Sequence, residues 1–84
     1  MYIIVKDVYG DYGDESEKVI VLNDMGVAEA FRSKQRALRE LKGLVDSMEV
    51  DYKELEGKNG SVEYSLWGGS EVFYIYKLHV DNSL

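Results

Sequence analysis

The stretch from Ser33 to Met48 limits what this chain can fold into more than any other. It is the one segment with a sustained helical period. Ala37, Leu38, Leu41, Leu44, Val45 and Met48 recur at i, i+1, i+4, i+7, i+8 and i+11, which lines one face of an α-helix. Ser33 stands in front of it as an N-cap residue. A single amphipathic helix cannot close a core alone, and the rest of the chain reads as strand and turn. The expected fold is therefore α+β: a four- to five-stranded, mostly antiparallel twisted sheet, covered on one face by one helix over 34–48. The basic residues of that helix are expected to face water.

The strands follow from composition and alternation. Tyr2–Tyr9 is rich in Tyr, Ile and Val and reads as a central strand. The run from Gly10 to Glu17 holds two glycines and four acids and reads as a solvated connection. Lys18–Leu22 reads as a second strand, Asn23–Gly26 as a turn, and Val27–Phe31 as a short third strand antiparallel to the second. A competing reading starts the helix at Asn23 or Asp24. Lys34 interrupts that longer stripe, which favours the strand.

The far end of the helix has two readings. Gly43 costs a helix interior about 1 kcal/mol relative to Ala. Yet Tyr52 and Leu55 continue the apolar period, and Gly57 with Asn59-Gly60 makes a stop signal near 56. Beyond it, Val62, Tyr64 and Leu66 alternate, and Gly68-Gly69 reads as a two-residue hairpin turn. Glu71–Val80 reads as the longest strand. Val72, Tyr74, Tyr76, Leu78 and Val80 share its more apolar face, and Phe73, Ile75, Lys77 and His79 share the other.

At 84 residues the chain holds one domain with one modest core. No apolar run approaches the roughly 20 residues a membrane helix needs. The N-terminus lacks the basic and long apolar regions of a signal peptide. There is no cysteine, so no disulfide framework or thiolate zinc site can form. A cytoplasmic location is the expectation. The net charge of −6 makes direct binding of nucleic acid unfavourable. That charge is segregated: Arg32, Lys34, Arg36, Arg39 and Lys42 form a basic band on the first half of the helix, with acid on either side in sequence.

Candidate chemistry is sparse. Asp11, Asp14, Glu15 and Glu17 cluster on one loop, but their spacing does not match an EF-hand, and a charge run of this kind usually serves solubility. His79 is the single histidine; it shares a strand face with Lys77, opposite the more apolar face, and reads as a half-exposed strand residue. No serine sits in a nucleophile elbow, and Gly68-Gly69 lacks the lysine and helix of a phosphate loop. No catalytic residue, cofactor or metal is assigned, and the expectation is that the protein is not an enzyme. Seven Tyr, one Trp and two Phe are more informative, because Tyr and Trp bring large apolar area to interfaces with few rotors.

The run Val27-Ala28-Glu29-Ala30-Phe31-Arg32-Ser33-Lys34-Gln35-Arg36-Ala37-Leu38 resembles a pattern in small uncharacterised proteins of phages and bacteria. In that pattern a short strand ends in Phe, a Ser caps a helix, an Ala opens its buried face, and a strand like Val72–Val80 closes the fold. The likeness spans about half the chain; the segment from Val50 to Gly60 and the Trp67-Gly68-Gly69 turn depart from it. It implies an α+β fold and a phage or mobile-element origin, and it carries over no catalytic residue.

Together these readings point to a small acidic module that binds and modulates a host protein, with inhibition the favoured form. In one version it mimics nucleic acid toward a basic, nucleic-acid-handling partner. The surfaces named for partner binding are Asp11, Asp14, Glu15, Glu17, Asp51, Glu54, Glu56, Tyr12, Tyr64 and Trp67. The alternative is a nucleic-acid-binding accessory domain using Arg32, Lys34, Arg36, Arg39 and Lys42. An uncovered sheet edge or face also offers a route to a homodimer.

Overall fold

The computed structural model describes residues 1–10, 15–57 and 61–79. Along the chain lie β1 (Tyr2–Tyr9), β2 (Ser16–Ile20), α1 (Lys34–Ser47), β3 (Tyr52–Glu56), β4 (Val62–Leu66) and β5 (Glu71–Lys77). The strands form one open sheet in the order β2-β1-β5-β4-β3. Every neighbouring pair is antiparallel. The fold is α+β, with one helix on one face.

α1 forms where its period requires. Ser33 has extended backbone, and its Oγ accepts the Arg36 N–H at 3.4 Å, which satisfies one free donor of the first turn. Ala37, Leu41 and Val45, one turn apart, are all fully buried. The helix stops at Ser47, and Glu49 takes a left-handed φ of 55°. That conformation costs a non-glycine residue about 1 kcal/mol and turns the chain away from the helix axis. The continuation to 56 is thus overturned: Tyr52 and Leu55 belong to β3, where their spacing puts them on opposite faces of the sheet. Tyr52 is drawn to the helix side by Tyr64, their rings meeting edge to face at 5.4 Å and 80°.

Three other expectations are corrected. Val27–Phe31 is not a strand. Only Phe31 bridges, and it bridges Tyr2 of β1, not β2, exchanging both backbone hydrogen bonds at 2.7 Å. β2 ends at Ile20, so the start of β1 has an open edge there, and Phe31 fills it. The Gly68-Gly69 turn is a longer link, Trp67–Ser70, built on a 3-10 turn. Trp67, Gly68 and Gly69 all have φ between 52° and 97°, which is why two glycines are needed. Finally, β5 ends at Lys77 rather than Val80, and β1 at eight residues is the longest strand. The turn expected at Asn23–Gly26 is present. Asn59-Gly60 and Val80 lie outside the described residues.

The helix covers the face opposite to the one that alternation favoured. Ile4, Tyr64, Leu66 and Phe73 point at α1 and close with Ala37, Leu41, Val45 and Phe31. Val72, Tyr74 and Tyr76 therefore lie on the uncovered side with Ile3 and Val5. His79 falls beyond β5 and is exposed. Five strands span about 19 Å between edges, whereas a helix is about 10 Å wide. α1 sits over β1 and β5, which leaves uncovered flanks on both sides.

Candidate functional site

Recesses flank α1 on both sides: one of about 260 Å³ lies over β4 and β5 between Leu38, Val62 and Ile75, and another lies on the β2 flank. A groove of about 390 Å³ runs there between α1 and the segment after β2. Ile4, Val21, Phe31 and Leu44 give it an apolar lining, and Arg39, Glu40, Asp24 and Glu29 bring charge of both signs. Gly43 also lines it, and a Cβ at Gly43 would meet nothing within 4 Å. The glycine that weakens the helix thus leaves space open along its groove side. The volume is at the low end for a ligand pocket. Sequence reasoning missed this groove; its one signal was a glycine inside a helical period.

A fixed loop borders the groove. Asn23 Oδ1 accepts the backbone N–H of Met25 at 2.9 Å and of Val27 at 3.0 Å. The Asn23 N–H donates to the Val27 carbonyl, and Gly26 supplies the positive φ that closes the turn. Met25, at the tip, is 85% exposed, and Leu22 and Val27 are also exposed. A large apolar side chain is thus held out in water on a hydrogen-bonded frame. Isolated apolar groups on a surface are common, but here three stand exposed within six residues beside the groove.

The acids separate into two regions. Glu15 and Glu17 lie at the β2 edge and Glu54 and Glu56 at the β3 edge, about 19 Å apart across the sheet. The fold does not bring these groups together. Asp11, Tyr12 and Asp14 lie outside the described residues. Asp51, Glu54 and Glu56 are exposed, as is Trp67 at 48%. Tyr64, expected on a partner-facing surface, is only 4% exposed and is a core residue. Its hydroxyl donates to Glu54 at 3.1 Å, and the Tyr52 hydroxyl donates to Asp46 at 2.7 Å. Burial, and then the Glu54 carboxylate, push the Tyr64 phenol up to about 12. The bond to Asp46 raises Tyr52 as well. Both phenols stay protonated donors that tie the acidic end of α1 and the β3 edge to the core.

Arg32, Lys34, Arg36, Arg39 and Lys42 are all exposed, and the Arg36 guanidinium lies 6.0 Å from the Phe31 ring centre. The first turn of α1 has no acid and the last has no base. This charge runs against the helix dipole, which favours anions at the N-terminus and cations at the C-terminus. Among the described residues, no three His, Asp or Glu side chains converge to hold a metal ion. No described helix is long and apolar enough to cross a membrane.

No protein-family model, curated protein or solved structure matches the chain. The functional argument therefore rests on these surfaces.

Proposed function

We propose that this chain is a small acidic protein-binding module that docks on a second protein and modulates it. The observation that carries this reading is the Asn23-framed loop, which fixes an 85% exposed Met25 beside the groove along Gly43. Methionine at a binding surface adapts to its partner, and the groove offers apolar and charged contacts in return. The net charge of −6 would draw a partner with a basic surface and reject free nucleic acid.

Two substitutions test the reading. Gly43→Leu puts a side chain into the groove and raises helix propensity by about 0.8 kcal/mol, so loss of binding cannot be blamed on a weaker helix. Met25→Ser removes the exposed apolar tip. Affinity capture from lysate with quantitative mass spectrometry should show a partner that each variant retains at least tenfold less well. A partner held equally by both variants and the parent would sink the proposal.

A finer version has the acids of the β3 edge standing in for phosphates on an inhibited, nucleic-acid-handling partner. Glu54 and Glu56 lie on one side of an edge strand, about 7 Å apart, with Asp51 beside them in sequence. Glu54→Gln with Glu56→Gln would then weaken capture and flatten its salt dependence. The second reading is direct nucleic-acid binding. It is favoured by Arg32, Lys34 and Arg36 at the positive end of α1. A gel shift at ~50 mM salt, where phosphate contacts are strongest, decides for or against it.

A further inference from the structure

The sheet face away from α1 has the layout of an interface. Tyr9, Ile20, Leu55 and Tyr76 are the large apolar residues that stand exposed on strands among the described residues. Register puts all four on this one face. Its charge follows the strand order. Central β5 contributes Val72, Tyr74 and Tyr76 and no charge. The flanking β1 and β4 bring one acid each, Asp7 and Glu63, and the edge strands one base each, Lys18 and Lys53. An uncharged centre inside a charged rim is how stable interfaces are arranged.

The polar groups nearest the centre already have partners within the chain. The Tyr74 hydroxyl donates to Asp7 at 3.1 Å. The Lys18 ammonium lies 4.7 Å from the Tyr76 ring centre and 5.7 Å from that of Tyr74. Covering the face would not strand these groups, and desolvation strengthens a cation over an aromatic ring.

We propose that this face binds the same face of a second copy, giving a two-fold dimer with the two sheets packed together and the helices outside. Charge selects this occupant. The strand residues of the face sum to zero, while the whole chain carries −6. A basic protein or a nucleic acid finds no net opposite charge here, whereas a neutral face with paired signs complements itself. Size sets the strength. The face measures about 19 Å by 20 Å, or roughly 400 Å² per copy, half of a standard interface. An interface of that size belongs with the weak, transient ones. The proposal is independent of the groove and survives its failure.

Salt separates this dimer from a charge-driven one. Two copies at −6 repel, and salt screens that repulsion, so face-to-face association tightens with salt. Sedimentation equilibrium from ~10 μM to ~1 mM should show the mass rising from 9.6 kDa toward twice that value, further at ~0.5 M than at ~0.05 M salt. Ile20→Lys on β2 and Tyr76→Lys on β5 should each weaken association at least tenfold. Both reduce the net negative charge, so a general charge effect would act in the opposite direction. Two strands are tested so that one misfolded variant, recognised by its thermal melt, leaves the other to decide. A mass of 9.6 kDa at every concentration and salt would overturn the proposal. So would variants that associate like the parent, or association that weakens with salt, which would mark basic helix against acidic edge.

Discussion

The two faces of the sheet are made from the same kinds of residue and end differently. On the helix side, Ile4, Tyr64, Leu66 and Phe73 are closed off together with Leu41 and Val45. On the open side, Val5 is 1% exposed with no helix above it, while Ile20 keeps 49% and Tyr76 39% of their surface. Burial there depends on position within the sheet. A residue on inner β1 is shielded by strands on both sides, Ile20 opposite it on β2 and Tyr74 opposite it on β5. A residue on an edge strand has one such neighbour. A twisted sheet can thus hide a small residue near its middle unaided, but hiding its aromatics and edges takes a second layer.

The largest effect belongs to the closed side. Leu41→Ala removes a fully buried side chain between helix and sheet and should cost about 3 kcal/mol in urea unfolding. A loss below about 1 kcal/mol would mean that α1 is loosely seated, and the contrast between the faces would collapse.

The next test compares like with like. Val45 on α1 and Val5 on the open side are equally buried. Each Val→Ala change should cost about 2 kcal/mol, with the two values within about 0.5 kcal/mol of each other. If Val5→Ala costs much less, the open side is a surface that excludes water without contributing to the core.

Each face also holds one tyrosine bonded to a carboxylate of the neighbouring strand, and these titrate differently. Tyr64 donates to Glu54 and Tyr74 to Asp7, both at 3.1 Å. Tyr64 is raised from 10.0 to about 12 by burial and Glu54. A raised pKa means the folded state holds its proton longer than the unfolded state. The stabilisation is therefore complete below about pH 10, falls between 10 and 12, and is gone above. Tyr74 is raised too, by burial first, but Lys18 beside it pulls the other way. Alkaline unfolding followed by circular dichroism should lose more of its slope in Tyr64→Phe than in Tyr74→Phe. At neutral pH each variant should cost about 1 kcal/mol, the worth of one hydrogen bond. Equal slopes would mean that the open face shields its phenol as well as the helix does.

Much of the closed side was legible in the sequence. The stripe from Ala37 to Met48 and the Ser33 cap are local signals, and both held because nothing in the tertiary structure competes with them. Tyr52–Glu56 was not legible, because Tyr52 and Leu55 fit a helical period and a strand equally well over so short a run. The pairing of the segment with β4, including the ring contact of Tyr52 with Tyr64, decides between them. The covered face of β5 was misjudged for a related reason. Val72, Tyr74 and Tyr76 outnumber Phe73 and Ile75 in aromatic area, but Phe73 lacks a hydroxyl to hydrogen-bond and is the easier residue to bury. The groove was hidden because it depends on how far one helix reaches across five strands, and no residue encodes that width.

The smallest effect belongs to the edge of the open face. Ile20→Thr keeps a β-branched residue on β2, where half the side chain already meets water. In dilute solution its stability should lie within about 0.5 kcal/mol of the parent. The two proteins should then part as concentration rises. A partner copy that binds only the folded state adds stability by mass action, and the parent would gain more of it than the variant. Melting temperatures measured at ~10 μM and ~1 mM give the comparison directly. A difference that grows with concentration means that what the open face lacks within one chain it finds in another. A constant difference means that Ile20 is an ordinary edge residue, and that the open face is complete with solvent as its second layer.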